Sequence, residues 1–143
     1  MKRVMATGVF DILHPGHLFF LKESKKLGEE LYVVVARDST ANKRGKTTIF
    51  DENTRLSIVS ELRVVDHALL GHEGDIYRTV EEIRPDIITL GYDQKFKDDE
   101  IINNCRARGI SVEVRRIDRN KGSTYQSSTQ IREKLLQIIG EKF

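Results

Sequence analysis

The chain has 143 residues, 38% of them apolar, with 24 Lys and Arg against 22 Asp and Glu and a net charge of +2. That length can bury a full core as a single domain spanning residues 1–143, and so small a charge gives no reason to expect nucleic acid as a partner. No apolar run approaches membrane-spanning length, no charged-then-apolar leader is recognisable, and the lone Cys105 cannot form an internal disulfide; a cytoplasmic protein without membrane association is expected.

Lys2–Ala6 is short, apolar and β-prone and reads as a buried strand, while helical periodicity follows Pro15. Between them runs Thr7-Gly8-Val9-Phe10-Asp11-Ile12-Leu13-His14-Pro15-Gly16-His17. Pro15 suits the first helical position, which puts His17 in the first turn and His14 just outside it. Free N–H groups and the dipole at that helix start attract an anion, and Gly8 permits close approach of backbone to ligand. Two imidazoles beside the anion can donate to phosphoryl oxygens. Taken singly, turn glycines and surface histidines read equally well as an ordinary junction. A zinc site is not expected: Asp11 is the one further ligand nearby, and His67, His72 and Cys105 match no ligand spacing.

The helix predicted over Pro15–Leu27 ends at Gly28, after Lys25 and Lys26. Leu31–Ala36 lacks inside-outside alternation and so reads as a strand buried on both faces, the mark of a parallel sheet. Asn42-Lys43-Arg44-Gly45-Lys46-Thr47 is a polar, cationic loop long enough to close over a site. Gly45-Lys46-Thr47 mimics the end of a P-loop, but Thr40 stands where that motif needs glycine. Helices are expected near Asp51–Leu62, Asp75–Ile83 and Asp98–Arg108, and strands near Val64–Leu70, Asp86–Leu90 and Ser111–Ile117. A last helix is expected over Ser128–Ile139. Ser127 and Gln130 form a candidate capping box there, Ile131, Leu135, Ile138 and Ile139 an apolar stripe, and Arg132 a planar multi-donor clamp one turn in.

Gly8-x-Phe10-Asp11-x-x-His14-x-Gly16-His17 resembles the signature of the cytidylyltransferase-like nucleotidyltransferases, and Ser128-Thr129-Gln130-Ile131-Arg132 is similar to their second signature. The resemblance spans the chain. It implies an α/β, Rossmann-like open parallel five-stranded sheet of order 3-2-1-4-5 with helices on both faces. In such a sheet the ligand crevice opens beyond strands one and four, where the order reverses, and this unites the histidines with Gly91-Tyr92-Asp93-Gln94. It also implies direct in-line attack at the α-phosphorus of a nucleoside triphosphate. His14 and His17 would hold the α-phosphoryl oxygens. Lys46, with Lys43 as second candidate, and Arg132 would hold the β- and γ-phosphates. Nucleotide contacts are expected from Thr7, Gly8, Val9, Phe10, Gly16, Arg55, Gly91, Asp93, Tyr125, Ser128 and Thr129, and acceptor contacts from Asp11, Tyr92 and Gln94. Mg²⁺ is expected to arrive with the triphosphate, with no protein metal ligands.

His14-Pro15-Gly16-His17, Val35-Ala36-Arg37-Asp38 and Leu90-Gly91-Tyr92-Asp93-Gln94-Lys95-Phe96 are most similar to the archaeal-type FAD synthases, which adenylylate FMN. ATP and FMN are then the expected substrates and a homodimer the expected assembly. Glycerol-3-phosphate cytidylyltransferases are similar at the first motif, so synthesis of CDP-glycerol or a related CDP-alcohol is the alternative. They usually carry a tryptophan after strand four, and this chain has none. A non-catalytic nucleotide-binding module is the second alternative. Archaeal FAD synthases carry a cysteine pair near the C-terminus; with only Cys105, redox sensitivity is not carried over.

Overall fold

Five parallel strands, each followed by helix, wind into one open sheet in the order β3-β2-β1-β4-β5. The computed structural model describes residues 1–118 and 127–142. The elements are β1 (Arg3–Gly8), α1 (Pro15–Lys25), β2 (Glu30–Val35), α2 (Asp38–Lys43), α3 (Glu52–Ser60), β3 (His67–Leu70), α4 (Ile76–Ile83), β4 (Ile87–Gly91), α5 (Asp98–Ala107), β5 (Glu113–Ile117) and α6 (Ser128–Lys142).

Side-chain alternation along the central strands splits the core into two layers. Val4 and Ala6 of β1, with Leu31, Val33 and Val35 of β2, face Leu21 of α1 and Val59 of α3. Met5, Ile88 and Leu90 face the other way, onto Val80 and Ile83 of α4 and Ile101 and Cys105 of α5. Both faces of the sheet are therefore covered by helices, which is why its central strands read as continuous apolar runs. One polar pair interrupts the first layer, the buried hydroxyls of Ser24 and Thr89 at 2.8 Å, each satisfying the other.

Three local expectations change. The segment after β2 opens with the six-residue helix α2, which lacks apolar periodicity because Ala41 is its one buried residue. Strand β3 begins at His67, since Val64 and Val65 reach the core from a turn closed by Val65 N–H donating to Leu62 O at 3.1 Å. Gly28 is not a left-handed helix cap: α1 closes on Lys26 in right-handed geometry, and a Cβ on Gly28 would sit 2.7 Å from the Lys2 carbonyl oxygen. Close packing of the α1–β2 turn against the start of β1 is what requires glycine there.

Candidate active site

The carboxyl ends of β1 and β4 open into a cleft of about 750 Å³. The chain turns sharply as it leaves β1. Phe10 at φ 56° and Ile12 at φ 44° lie in the left-handed region that non-glycine residues avoid, a strain of about 1–3 kcal/mol each, and burial of Phe10 against the core holds it. Gly8 is required by this same turn. A Cβ there would meet the Phe10 ring at 2.9 Å, so the ring, not a ligand, fills the space the glycine leaves.

α1 starts at Pro15, and the two histidines cap it reciprocally. Gly16 N–H donates to His14 Nδ1 at 3.1 Å and His14 N–H donates to His17 Nδ1 at 3.3 Å. The rings stack with centroids 3.8 Å apart, and Phe10 lies tilted against His17 at 5.5 Å. Because each Nδ1 accepts an N–H, each neutral ring carries its proton on Nε2, leaving two N–H donors for the cleft that both histidines line. Burial drives His17 down to about 3, with His14 and Lys46 adding to the effect; burial also lowers His14, partly opposed by Asp93. The pair is neutral at physiological pH and donates without carrying charge.

Cationic side chains line the same cleft. Lys46 lines the cleft in the loop after α2, and Arg132 reaches in from α6, its Nη2 donating to Thr47 O at 2.9 Å. Thr7, Val9, Gly16, Gly91, Tyr92, Asp93 and Thr129 share that lining. Lys43, the last residue of α2, does not. Tyr125 and the side chain of Ser128 lie outside the described residues. The α6 stripe differs from expectation: Leu135, Ile138 and Ile139 are exposed together with Leu136 rather than packed on the body.

Three residues expected to touch ligand are engaged by the protein itself. Arg55 is 1% exposed; its Nη1 donates to Val9 O and Ala36 O, both at 2.7 Å, Nε to Phe50 O at 3.1 Å and Nη2 to Asp38 Oδ1 at 2.7 Å. This guanidinium binds three loops together and has no face toward nucleotide. Asp11 lines the cleft, but its buried carboxylate accepts from Ile49 N–H at 2.7 Å and Phe50 N–H at 3.0 Å and is not free for an acceptor. Gln94 bridges the two strand ends: its Oε1 accepts from Gly91 N–H at 2.6 Å and its Nε2 donates to Thr7 O at 3.3 Å.

Arg44 and Phe96 also line the cleft, beyond the residues the sequence motifs single out. The Arg44 guanidinium lies 5.2 Å over the Phe96 ring, so the loop after α2 meets the loop after β4 across the cleft mouth. Arg44 stands two residues before Lys46 in the same cationic run, which was the available signal.

A family model described as cytidylyltransferase-like matches residues 5–134. A protein named FAD synthase from Thermoplasma volcanium is 59% identical over the whole of both chains, and another of that name from Thermoplasma acidophilum is 57% identical, again over both whole chains. A crystal structure described as a lipopolysaccharide core biosynthesis protein from Thermoplasma volcanium superposes with a TM-score of 0.83 at 64% identity, covering 85% of this chain and 99% of that one. A protein of unknown function from Archaeoglobus fulgidus shares the fold at a TM-score of 0.71 and 18% identity, covering 87% of this chain and 95% of that one.

Proposed function

The chain belongs to the cytidylyltransferase-like family, and we infer that it transfers the adenylyl group of ATP to FMN, giving FAD and pyrophosphate. The observation that carries the chemistry is the pair of neutral Nε2–H donors at one helix start, in a cleft that Lys46 and Arg132 also line. The observation that carries the substrate is the name FAD synthase on relatives 47–59% identical over nearly the whole chain.

In this reading an oxygen of the FMN phosphate attacks the α-phosphorus of ATP in line, a new P–O bond forms, and the bond to the β-phosphate bridging oxygen breaks as pyrophosphate leaves. His14 and His17 donate to the non-bridging α-phosphoryl oxygens, where charge builds in the transition state. Lys46 and Arg132 offset the charge on the β- and γ-phosphates, Arg132 from the first turn of α6. Thr129, Gly91, Asp93 and Tyr92 remain to line the nucleotide and flavin. The reaction class uses a divalent metal, read here as Mg²⁺ that screens the triphosphate.

No helix among the described residues is long and apolar enough to cross a membrane. A homodimer completes the reading, supported by the exposed Leu135, Leu136, Ile138 and Ile139 of α6, and sedimentation equilibrium tests it.

The decisive experiment supplies the protein and Mg²⁺ with ATP or CTP and with FMN or glycerol 3-phosphate, follows pyrophosphate release and chromatographs the products. FAD from ATP and FMN alone is expected; CDP-glycerol would overturn the assignment. His17→Ala is expected to lower kcat by about 10²–10³-fold while remaining folded, the usual cost of one transition-state donor.

A further inference from the structure

We infer that Asp11 is a positioning residue for Lys46, tying the loop that carries this phosphate-binding lysine to the turn that carries the histidines; the inference rests on the adenylyl-transfer reading. The loop between α2 and α3 needs such a tether. Residues 42–47 are exposed, and at its far end Ile49 and Phe50 are 58% and 37% exposed, so their side chains do not root it in the core. Its upstream end is fastened by Lys46 N–H donating to Ala41 O at 3.0 Å.

Downstream, the fastening is polar: Arg132 Nη2 holds Thr47 O, Arg55 Nε holds Phe50 O, and Asp11 alone holds two N–H groups of the segment and belongs to the histidine turn. Both oxygens of the buried Asp11 carboxylate are taken by consecutive backbone N–H groups, at 2.7 and 3.0 Å, three and four residues beyond Lys46. Asp11 itself stands three residues before His14, which caps α1. One short segment therefore sets the histidine donors and the ammonium group in a common frame. The ammonium is near enough to His17 to help lower its pKa. A carboxylate is the group that suits this place, because it accepts two adjacent N–H donors at once. An asparagine would accept one and turn its own NH₂ toward the other.

The test is a double-mutant cycle on binding of α,β-methylene ATP, a probe that needs neither acceptor nor turnover. Asp11→Asn is expected to raise the Kd at least tenfold in the wild-type background and less than twofold in the Lys46→Ala background, since the lysine it positions is then gone. In steady state the KM for ATP should rise while the KM for FMN stays within twofold. Multiplicative effects in the cycle, an unchanged Kd, or a rise confined to the KM for FMN would each overturn the inference; a general loss of structure produces the first of these. Should Asp11→Asn fail to fold, Ile49→Pro removes one of the two N–H donors while leaving the carboxylate in place, and the same pattern is expected of it. Wild-type protein that makes no FAD from ATP and FMN would refute the adenylyl-transfer reading instead, and the binding cycle would still decide the role of Asp11.

Discussion

Replacing Arg55 with methionine separates a structural arginine from a nucleotide-binding one. The substitution keeps the length and apolar stem and removes four donated hydrogen bonds, three of them to the carbonyls of Val9, Ala36 and Phe50. Hydrogen bonds to a charged group contribute about 1.5–3 kcal/mol each, but such values do not add, because water can enter and re-pair the carbonyls. The Asp38 side chain is 38% exposed and regains hydration readily. The cost therefore lies in the three carbonyls left without their donor, about 1–3 kcal/mol each, and partial re-pairing by water brings the expected total to about 3–5 kcal/mol. At about 2.1 cal/mol/K of unfolding entropy per residue, 143 residues give about 0.3 kcal/mol/K, so Tm should fall by about 10–17 °C. Circular-dichroism melts measure it, paired with α,β-methylene ATP titrations at a temperature where both proteins are folded. A Tm within about 3 °C of wild type, together with a Kd raised more than tenfold, would refute the reasoning and return Arg55 to the nucleotide.

The histidine pair yields a spectroscopic prediction: ¹⁵N-edited ring spectra at pH 7.5 should show both rings neutral and protonated on Nε2, and His17 should remain so at pH 6. A transition near pH 6.5 in either ring would refute the capping geometry. The same lowering has a stability consequence. An unfolded chain takes up a proton on His17 below about 6.5 and the native chain does so only near 3, so stability falls as pH drops through that window, by up to about 1.4 kcal/mol per pH unit. Denaturant midpoints at pH 6.5 and 4.5 should differ less for His17→Gln than for wild type. Gly8→Ala should lower stability by about 1–3 kcal/mol through overpacking, since its Cβ would meet the Phe10 ring at 2.9 Å; a melt unchanged from wild type would mean the turn relaxes freely.

Much of this architecture is legible in the chain because local signals agree. Leu31–Val35 is apolar throughout, as a strand covered on both faces must be, and Pro15 at the first helical position fixes where α1 begins. The parallel order brings the histidine turn and Gly91–Gln94 to one crevice, as the reversal between β1 and β4 requires. What the chain conceals is which way a polar group is turned. Arg55, Asp11 and Gln94 belong to residue types common in binding sites, yet each bonds a backbone atom far off in sequence, 46, 38 and 87 positions away. No periodicity encodes such pairings, because backbone carbonyls and N–H groups occur at every position. Helix α2 was hidden for a related reason, having one buried residue and so no apolar stripe.

The two kinds of donor in the cleft divide the transfer between them under the adenylyl-transfer reading. Lys46 and Arg132 carry full charge and hold a polyanion from the moment ATP binds, an interaction the ground state and transition state share. His14 and His17 are neutral donors fixed in one tautomer by backbone N–H groups, and a neutral N–H holds the resting phosphate more weakly. Its hydrogen bond strengthens as charge gathers on the equatorial oxygens, so the rings contribute chiefly when the reaction is under way. Differential stabilisation of this kind depends on distance held to fractions of an ångström. Strained left-handed backbone at Phe10 and Ile12, the reciprocal caps on α1, and the Asp11 and Arg55 ties all converge on that one turn. Rigidity around the histidines is thus what lets uncharged donors serve where cations would bind ground state and transition state alike.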